Sequence, residues 1–329
     1  MTSSSAFRPP LLSSSTAHLL AFSFGLAYVG SLYISKHARV SFTRVSVTRP
    51  KQREDKARDR YEDERWRNDP GVIRARLFAA SVATVLCCGA VWGIGWKVEG
   101  IQVCDWELGL RVTLQRLGMS SFGGWKAYLV TPTLFLGPLW AMWLSQSLPG
   151  QRFWMLTGPG GLVQQYATWQ GFRNYIVGPI TEELVFRACV LAAYGLAGAS
   201  RSMMIFCSPL VFGLAHIHHA WETYNRYGRT AVAAKRAILG SVFQFAYTSV
   251  FGFHCAYLFI RTGSVFPAIM SHIFCNVMGV PQLSWEVRKH PSWKESIYVV
   301  YVVGIVGYVS LLGPWTETAG SVYGSIATQ

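Results

Sequence analysis

Blocks of about 20 apolar residues recur along this chain, and they restrict its fold more than any other feature. The clearest runs from Leu77 to Trp96 and is bracketed by Arg76 and Lys97. A helix of this length crosses a bilayer, and it satisfies its own backbone hydrogen-bonding groups there. Because 51% of the residues are hydrophobic and only 14% are charged, the sequence predicts an all-α polytopic membrane protein.

Eight apolar stretches are predicted to be transmembrane helices. The third contains Pro132 and Pro138, which predict a kink, and the seventh is short. The polar residues 1–16 precede the first stretch, and residues 314–329 form a C-terminal tail. The predicted helices are 17–35, 77–96, 127–146, 174–198, 202–219, 238–260, 264–279 and 297–313, the last seven forming the membrane core 77–313.

A charged loop, residues 36–76, separates the first predicted helix from the second. It contains thirteen Lys and Arg residues interleaved with seven Asp and Glu, and the positive-inside rule places it in the cytosol. We interpret it as a solvated loop; the alternative is a surface attracted to anionic lipid headgroups. A net charge of +14 would suggest nucleic acid in a soluble protein, but here its position favours membrane topology, and no nucleic-acid partner is expected.

The cysteines do not predict a disulfide framework. Six of the seven lie in apolar stretches, where cysteine usually behaves as a small packing residue. Their scatter matches no zinc spacing. These six are Cys87, Cys88, Cys189, Cys207, Cys255 and Cys275.

The fourth apolar stretch carries three ionisable residues, Glu182, Glu183 and Arg187. Each costs about 2.5–3.5 kcal/mol at membrane depth, so such residues persist mainly where they are functional or paired. On a helix, Glu183 and Arg187 are spaced for an ion pair, whereas Glu182 points about 100° away. Glu182 is therefore the candidate base, facing a cavity. The alternative is one buried charge cluster that holds helices together.

Two further stretches supply polar partners. His216 ends the fifth, with Phe212 one turn earlier, and the seventh carries His272 and Asn276 four residues apart. An imidazole and an amide on one helical face could stabilise an oxyanion, although they could also be interhelical hydrogen-bonding residues. With Glu182 these groups predict a water-activating hydrolase. No HExxH motif is present, but Glu and His are zinc ligands, so a metal site stays open as an alternative.

These residues form three motifs whose order and intervals resemble those of the type II CAAX prenyl endopeptidases. This family comprises the Ras-converting enzymes of the glutamate intramembrane protease group. The motifs are Glu182-Glu183-x-x-x-Arg187, Phe212-x-x-x-His216 and His272-x-x-x-Asn276.

The resemblance implies an eight-helix protease of the endoplasmic reticulum membrane, with an active-site cavity open to the cytosol and to lipid. Its substrates would be CAAX proteins, such as Ras-type small GTPases, whose CAAX cysteine carries a farnesyl or geranylgeranyl group. The enzyme would remove the three residues after that cysteine. No cofactor is implied.

The resemblance also implies a role for each motif residue. Glu182 would activate water with help from His216, and His272 and Asn276 would stabilise the oxyanion. The residues that would support the site are Glu183, Arg187 and Phe212.

Two functions from other classes remain possible on the sequence alone. Intramembrane Glu and His residues also mark ion pathways, as in a proton- or ion-coupled transporter. The sequence shows no internal repeat of the kind many transporters have. The second is a non-catalytic scaffold that binds prenylated proteins, although a scaffold has no need of an unpaired Glu182.

Overall fold

The computed structural model describes residues 10–43, 57–100, 105–153 and 166–318. Within these ranges the regular structure is helical, and the β-type pairing is one isolated antiparallel bridge between Ser41 and Arg65. The predicted all-α membrane fold is confirmed. The tail 1–16 lies largely outside the described residues, and most of the tail 314–329 does too.

Fifteen α-helices are present in the described ranges. The α-helices are α1 (Ser14–Ile34), α2 (Pro70–Glu99), α3 (Trp106–Arg116), α4 (Val130–Leu134), α5 (Leu136–Leu144), α6 (Trp169–Phe172), α7 (Gly178–Glu183), α8 (Val190–Leu196), α9 (Arg201–Phe206), α10 (Ser208–Ala215), α11 (His219–Arg226), α12 (Ala231–Thr262), α13 (Phe266–Met278), α14 (Leu283–Lys289) and α15 (Lys294–Thr316). Two 3₁₀ segments, Trp125–Leu129 and Pro291–Trp293, and two π-helices, Arg173–Val177 and Leu184–Cys189, complete the regular structure of these ranges.

Four helical stretches are long and apolar enough to cross a membrane. They coincide with the first, second, fifth and eighth predicted spans. The helix of the seventh, α13, has 13 residues and is short, as predicted. The count of eight spans remains a prediction. The four stretches are Ser14–Ile34, Pro70–Glu99, Arg201–Arg226 and Pro291–Thr316.

The third predicted span is bent by 69° between α4 and α5. The break falls at Phe135, between the two prolines that predicted a kink. Pro138 has no N–H to donate to the carbonyl of Leu134, four residues earlier, so the α-helical ladder is interrupted there. The two pieces together are long enough to count as a fifth span.

The chain divides into two compact units. The first contains the described residues within 104–183 and 257–329. In it, α15 packs against α4 and α5, and a Cβ added to Gly137 would overlap the ring of Tyr301. The hydroxyls of Thr131 and Ser271 are 2.7 Å apart, which ties α13 to α4. These contacts fix the helix that carries His272.

The second unit contains the described residues within 7–103 and 184–256. Its core is the run 185–194, in which every residue is buried. The helix α1 packs along this run, with the rings of Tyr28 and Phe186 in an edge-to-face contact at 5.5 Å. Just before α1 begins, the N–H groups of Leu11 and Leu12 donate to the carbonyl of Leu196. The first helix is therefore a structural part of the core.

The described part of the charged loop is folded around Glu64. This carboxylate is 1% exposed and forms a salt bridge with Arg58, which is 7% exposed. It also accepts hydrogen bonds from the indole N–H of Trp66 and from the backbone N–H groups of Thr43 and Tyr61. The interpretation of this segment as solvated is wrong for Arg58 and Glu64, because paired charges can be buried where single ones cannot.

The folded loop is attached to the end of α11. The backbone N–H of Arg58 donates to the carbonyl of Arg226, and its Nε donates to the carbonyl of Asn225, both at 3.0 Å. A cation is favourable at a helix C-terminus. The guanidinium of Arg226 in turn lies 5.2 Å from the ring of Trp66. Since α11 begins three residues after His216, the loop restrains the segment that carries this histidine.

Candidate active site

Two π-helices flank the paired glutamates in the chain. Glu182 and Glu183 end α7, which follows the π-helix Arg173–Val177 and precedes the π-helix Leu184–Cys189. Such π turns are rare and occur frequently at functional sites. Their i→i+5 bonding changes which side chains share a face, so the α-helical spacing behind the expected pairing with Arg187 does not apply directly after Glu183. That pairing remains a prediction.

Glu183 has a partner that the sequence did not predict, His272 on α13. The Nδ1 atom of His272 lies 2.7 Å from the Oε1 atom of Glu183, and both residues are buried. An ionised carboxylate only accepts hydrogen bonds, so Nδ1 donates. The proton is assigned to Nδ1 by this partner, so in a neutral ring Nε2 is the acceptor.

Glu182 lies on the other side of the same imidazole. Its Oε2 is 3.8 Å from Nε2 of His272, too long for a hydrogen bond but within ion-pair range if the ring is protonated. Its side chain is 24% exposed, whereas that of Glu183 is fully buried. His272 therefore lies between one enclosed carboxylate and one accessible carboxylate. The two glutamates thus differ in accessibility, and their separate roles remain a prediction.

Asn276 follows His272 by one helical turn and is exposed. Its Nδ2 donates to the backbone carbonyl of Asn174 at 2.8 Å, within the preceding π-helix. A carboxamide has two N–H donors. One of them holds the side chain in place, so the second is available to a ligand.

The second unit contains a buried guanidinium, that of Arg187, which is 1% exposed. It lies over the rings of Phe212 at 4.3 Å and Phe251 at 5.7 Å. Aromatic faces stabilise a cation that has been removed from water. Phe251 is a contact that the motif spacing did not reveal, because it lies on α12, outside the three motifs.

His216 lies against Phe212 in the same unit. The two rings are 4.7 Å apart in an edge-to-face arrangement, and Nδ1 of His216 is 2.8 Å from the carbonyl of Phe212. A carbonyl accepts, so Nδ1 carries the proton. The Nε2 atom of a neutral ring is then a base.

The predicted site residues fall into the two compact units. Glu182, Glu183, His272 and Asn276 belong to the first, and Arg187, Phe212 and His216 belong to the second. Their action at one site remains a prediction. As for metals, no three His, Cys, Asp or Glu side chains of the described ranges converge so that they could hold an ion.

The chain matches proteins of one family. The model of the Rce1-like family, described as "Type II CAAX prenyl endopeptidase Rce1-like", matches residues 164–278, which include all seven predicted site residues. The "Probable CAAX prenyl protease 2" of Schizosaccharomyces pombe is 31% identical over 92% of this chain and 93% of its own length. The "CAAX prenyl protease 2" of Homo sapiens is 32% identical over 92% of this chain and 82% of its own length.

No solved structure matches the chain significantly. Both relatives match most of this chain, and the motif region is the part recognised by the family model. The apolar helices agree with a multi-pass membrane protein. The chain therefore belongs to the type II CAAX prenyl endopeptidase family and is a membrane protease.

Proposed function

We propose that this protease removes the last three residues from CAAX proteins whose cysteine carries a farnesyl or geranylgeranyl group. Ras-type small GTPases are the proposed substrates. The names of the curated relatives support this specificity. A prenyl chain gains about 0.8 kcal/mol per CH₂ in lipid, so the substrate tail stays in the bilayer. An enzyme built from membrane-spanning helices can meet it there.

The proposed location is the endoplasmic reticulum membrane, with the active-site cavity open to the cytosol and to lipid. The family resemblance supports the organelle. The basic residues of the loop 36–76 support the orientation, because Lys and Arg are enriched in cytosolic loops. CAAX proteins would approach from the same side.

In the proposed mechanism, Glu182 takes a proton from water while the oxygen adds to the carbonyl carbon of the prenylated cysteine itself. The tetrahedral intermediate then collapses, the C–N bond breaks, and the proton passes to the leaving amine. The products are a free tripeptide and a new carboxyl group on the prenylcysteine. His216 is proposed to assist the base through Nε2, and the family motif, rather than a distance, supports that role.

His272 and Asn276 are the proposed oxyanion donors. Because Nδ1 of His272 bonds to Glu183, donation through Nε2 requires a proton on both ring nitrogens. The carboxylate of Glu183 balances that positive charge, so Glu183 is a positioning residue. The observation that carries the proposal is this placement of His272 between Glu183 and Glu182. Arg187 and Phe212 are proposed as supporting residues, as the family motif implies.

A cleavage assay tests the function. Membranes containing this chain are expected to release the tripeptide from a farnesylated CAAX peptide, detected by mass spectrometry. The same peptide with a free cysteine is expected to remain intact. A chelator is expected to leave the rate unchanged, because Glu182 is proposed to activate the water without a metal. Cleavage of both peptides, or activity that is lost to chelator and restored by zinc, would contradict the proposal.

A double-mutant cycle tests the role of Glu183. Glu183→Gln is expected to lower kcat by about 10²-fold with little change in KM, because the proposed oxyanion donor loses its counter-charge. His272→Ala is expected to lose at least as much. The double variant should be no slower than His272→Ala alone, since residues that act through one another are not additive.

Glu107→Gln provides the matched control. Glu107 is an exposed acid on α3, so its substitution should leave kcat unchanged. Additive losses in the double variant would show that Glu183 acts independently of His272. Equal losses of folded protein in all variants would show a purely structural effect.

A further inference from the structure

Two cysteines from distant parts of the chain meet inside the second unit. The Sγ atoms of Cys88, on α2, and Cys189, at the end of a π-helix, are 3.7 Å apart. Both thiols are free. A disulfide bond is about 2.05 Å long, so the two sulfurs are in contact and unbonded. Packing alone requires no second thiol at this position.

The surroundings allow the two backbones to approach. Small side chains on an interface let membrane helices pack closely, and a disulfide requires such proximity. In the eight residues of α2 before Cys88, the buried side chains are all small. They are Ala80, Ala83, Thr84 and Cys87.

The two thiols differ in accessibility. Cys189 is 0% exposed, whereas Cys88 is half-buried. An oxidant therefore reaches Cys88 first, and Cys189 is positioned to react with the oxidised sulfur. This order is that of a sensor cysteine with a resolving cysteine beside it.

We propose that Cys88 and Cys189 form a reversible disulfide that restrains the helical segment bearing the catalytic motif. A hydroperoxide, ROOH, oxidises the Cys88 thiol to a sulfenic acid and is reduced to ROH. The Cys189 thiol then displaces water from the sulfenic acid, and the S–S bond forms. A small thiol reductant reverses the reaction by thiol–disulfide exchange.

The consequence follows from the position of Cys189. It ends the π-helix Leu184–Cys189, which begins directly after Glu183. A covalent bond to α2 fixes this segment, and a π turn is a place where a helix can change its register. The oxidised protein is therefore less active. This regulatory part rests on the proposed peptidase function, whereas the disulfide itself does not.

The experiment treats the full-length protein in membranes with cumene hydroperoxide. Remaining thiols are then blocked with maleimide, and the protein is digested without reduction. Mass spectrometry is expected to find the Cys88 peptide linked to the Cys189 peptide. Cleavage of the farnesylated peptide is expected to fall in parallel and to recover with dithiothreitol. Cys88→Ala should abolish both the link and the loss of activity.

Cys87→Ala is the matched control and should keep both responses. No linked peptide in the wild type would overturn the site, whether or not the protein cleaves prenylated peptides. A linked peptide with unchanged cleavage, or equal inhibition of the Cys88→Ala variant, would overturn the regulatory role. Absence of cleavage in untreated protein would contradict the proposed function and leave the peptide result to decide the disulfide.

Discussion

Glu182→Gln is expected to slow cleavage of the farnesylated CAAX peptide by at least about 10²-fold, with the amount of folded protein unchanged. A positioned general base contributes about 10²–10⁴-fold, and glutamine keeps the shape of the side chain but cannot take a proton from water. Glu182 is the accessible member of the pair, so the substitution leaves the buried bond between Glu183 and His272 intact. The loss should lie in kcat, measured at saturating peptide.

Two controls separate catalysis from structure in this test. Glu107→Gln removes an exposed acid far from the motifs in sequence, and His254→Ala removes a histidine of the sixth predicted span for which no role is proposed. Both are expected to retain activity. Full activity of Glu182→Gln would show that Glu182 is not the base and would contradict the proposed mechanism.

The fold class could be predicted because membrane-spanning helices are a property of composition over about 20 residues. The block Leu77–Trp96 needs no tertiary information to be interpreted, and α2 contains it. The end of α2 is also local, since Gly100 adopts the left-handed conformation at φ +65° that glycine favours. The predicted span begins at Leu77, seven residues after the start of α2. The residues from Pro70 to Arg76 include two arginines and do not resemble an apolar span.

The sequence predicts that the side chains of Glu182 and Glu183 have different surroundings, but it does not reveal the partner of Glu183. Helical geometry placed them on different faces. The partner of Glu183, however, lies 89 residues away, and spacing rules report only neighbours on one helix. The sequence likewise did not predict the two π-helices. Whether a helical turn accommodates an extra residue depends on the packing around the turn rather than on the propensity of its residues.

In the charged loop, the sequence pattern did not predict which charged residues are buried. Interleaved Lys, Arg, Asp and Glu residues are typical of a solvated segment, and nothing in the sequence distinguishes Glu64 from Glu62. In the structure the first is buried and the second is exposed. The difference depends on Arg58 and on the end of α11, more than 160 residues further along the chain.

Glu64→Gln is expected to destabilise the second unit by about 3–5 kcal/mol, the usual effect of removing one partner from a buried ion pair. Glutamine can still accept hydrogen bonds, but Arg58 then remains buried without its counter-charge. The measurement is hydrogen exchange in detergent. The N–H groups of Arg58 and Tyr61, which bond to Arg226 and Glu64, should exchange faster. Glu62→Gln, an exposed neighbour, should leave their exchange unchanged.

The same site predicts a dependence on pH. Burial opposes the charge of Glu64, but hydrogen bonds from Arg58, Trp66 and the N–H groups of Thr43 and Tyr61 outweigh it and lower the pKa from 4.5 to about 2. A lowered pKa in the folded state means that this stabilisation is complete above about pH 4.5 and is lost as the pH falls towards 2. In the wild type, the protection of these N–H groups relative to their intrinsic exchange rate should therefore decrease in acid.

The variant supplies the decisive comparison, since Glu64→Gln has no carboxylate to protonate at this position. Its exchange, corrected for the intrinsic rate, should change less between pH 5 and pH 3 than that of the wild type. This is the pH range in which a glutamate carboxyl begins to take up a proton. Adding Arg58→Met to Glu64→Gln should recover part of the lost stability, because an apolar side chain needs no counter-charge. Equal acid responses in the wild type and in Glu64→Gln would show that the loop is held to α11 by contacts other than this ion pair.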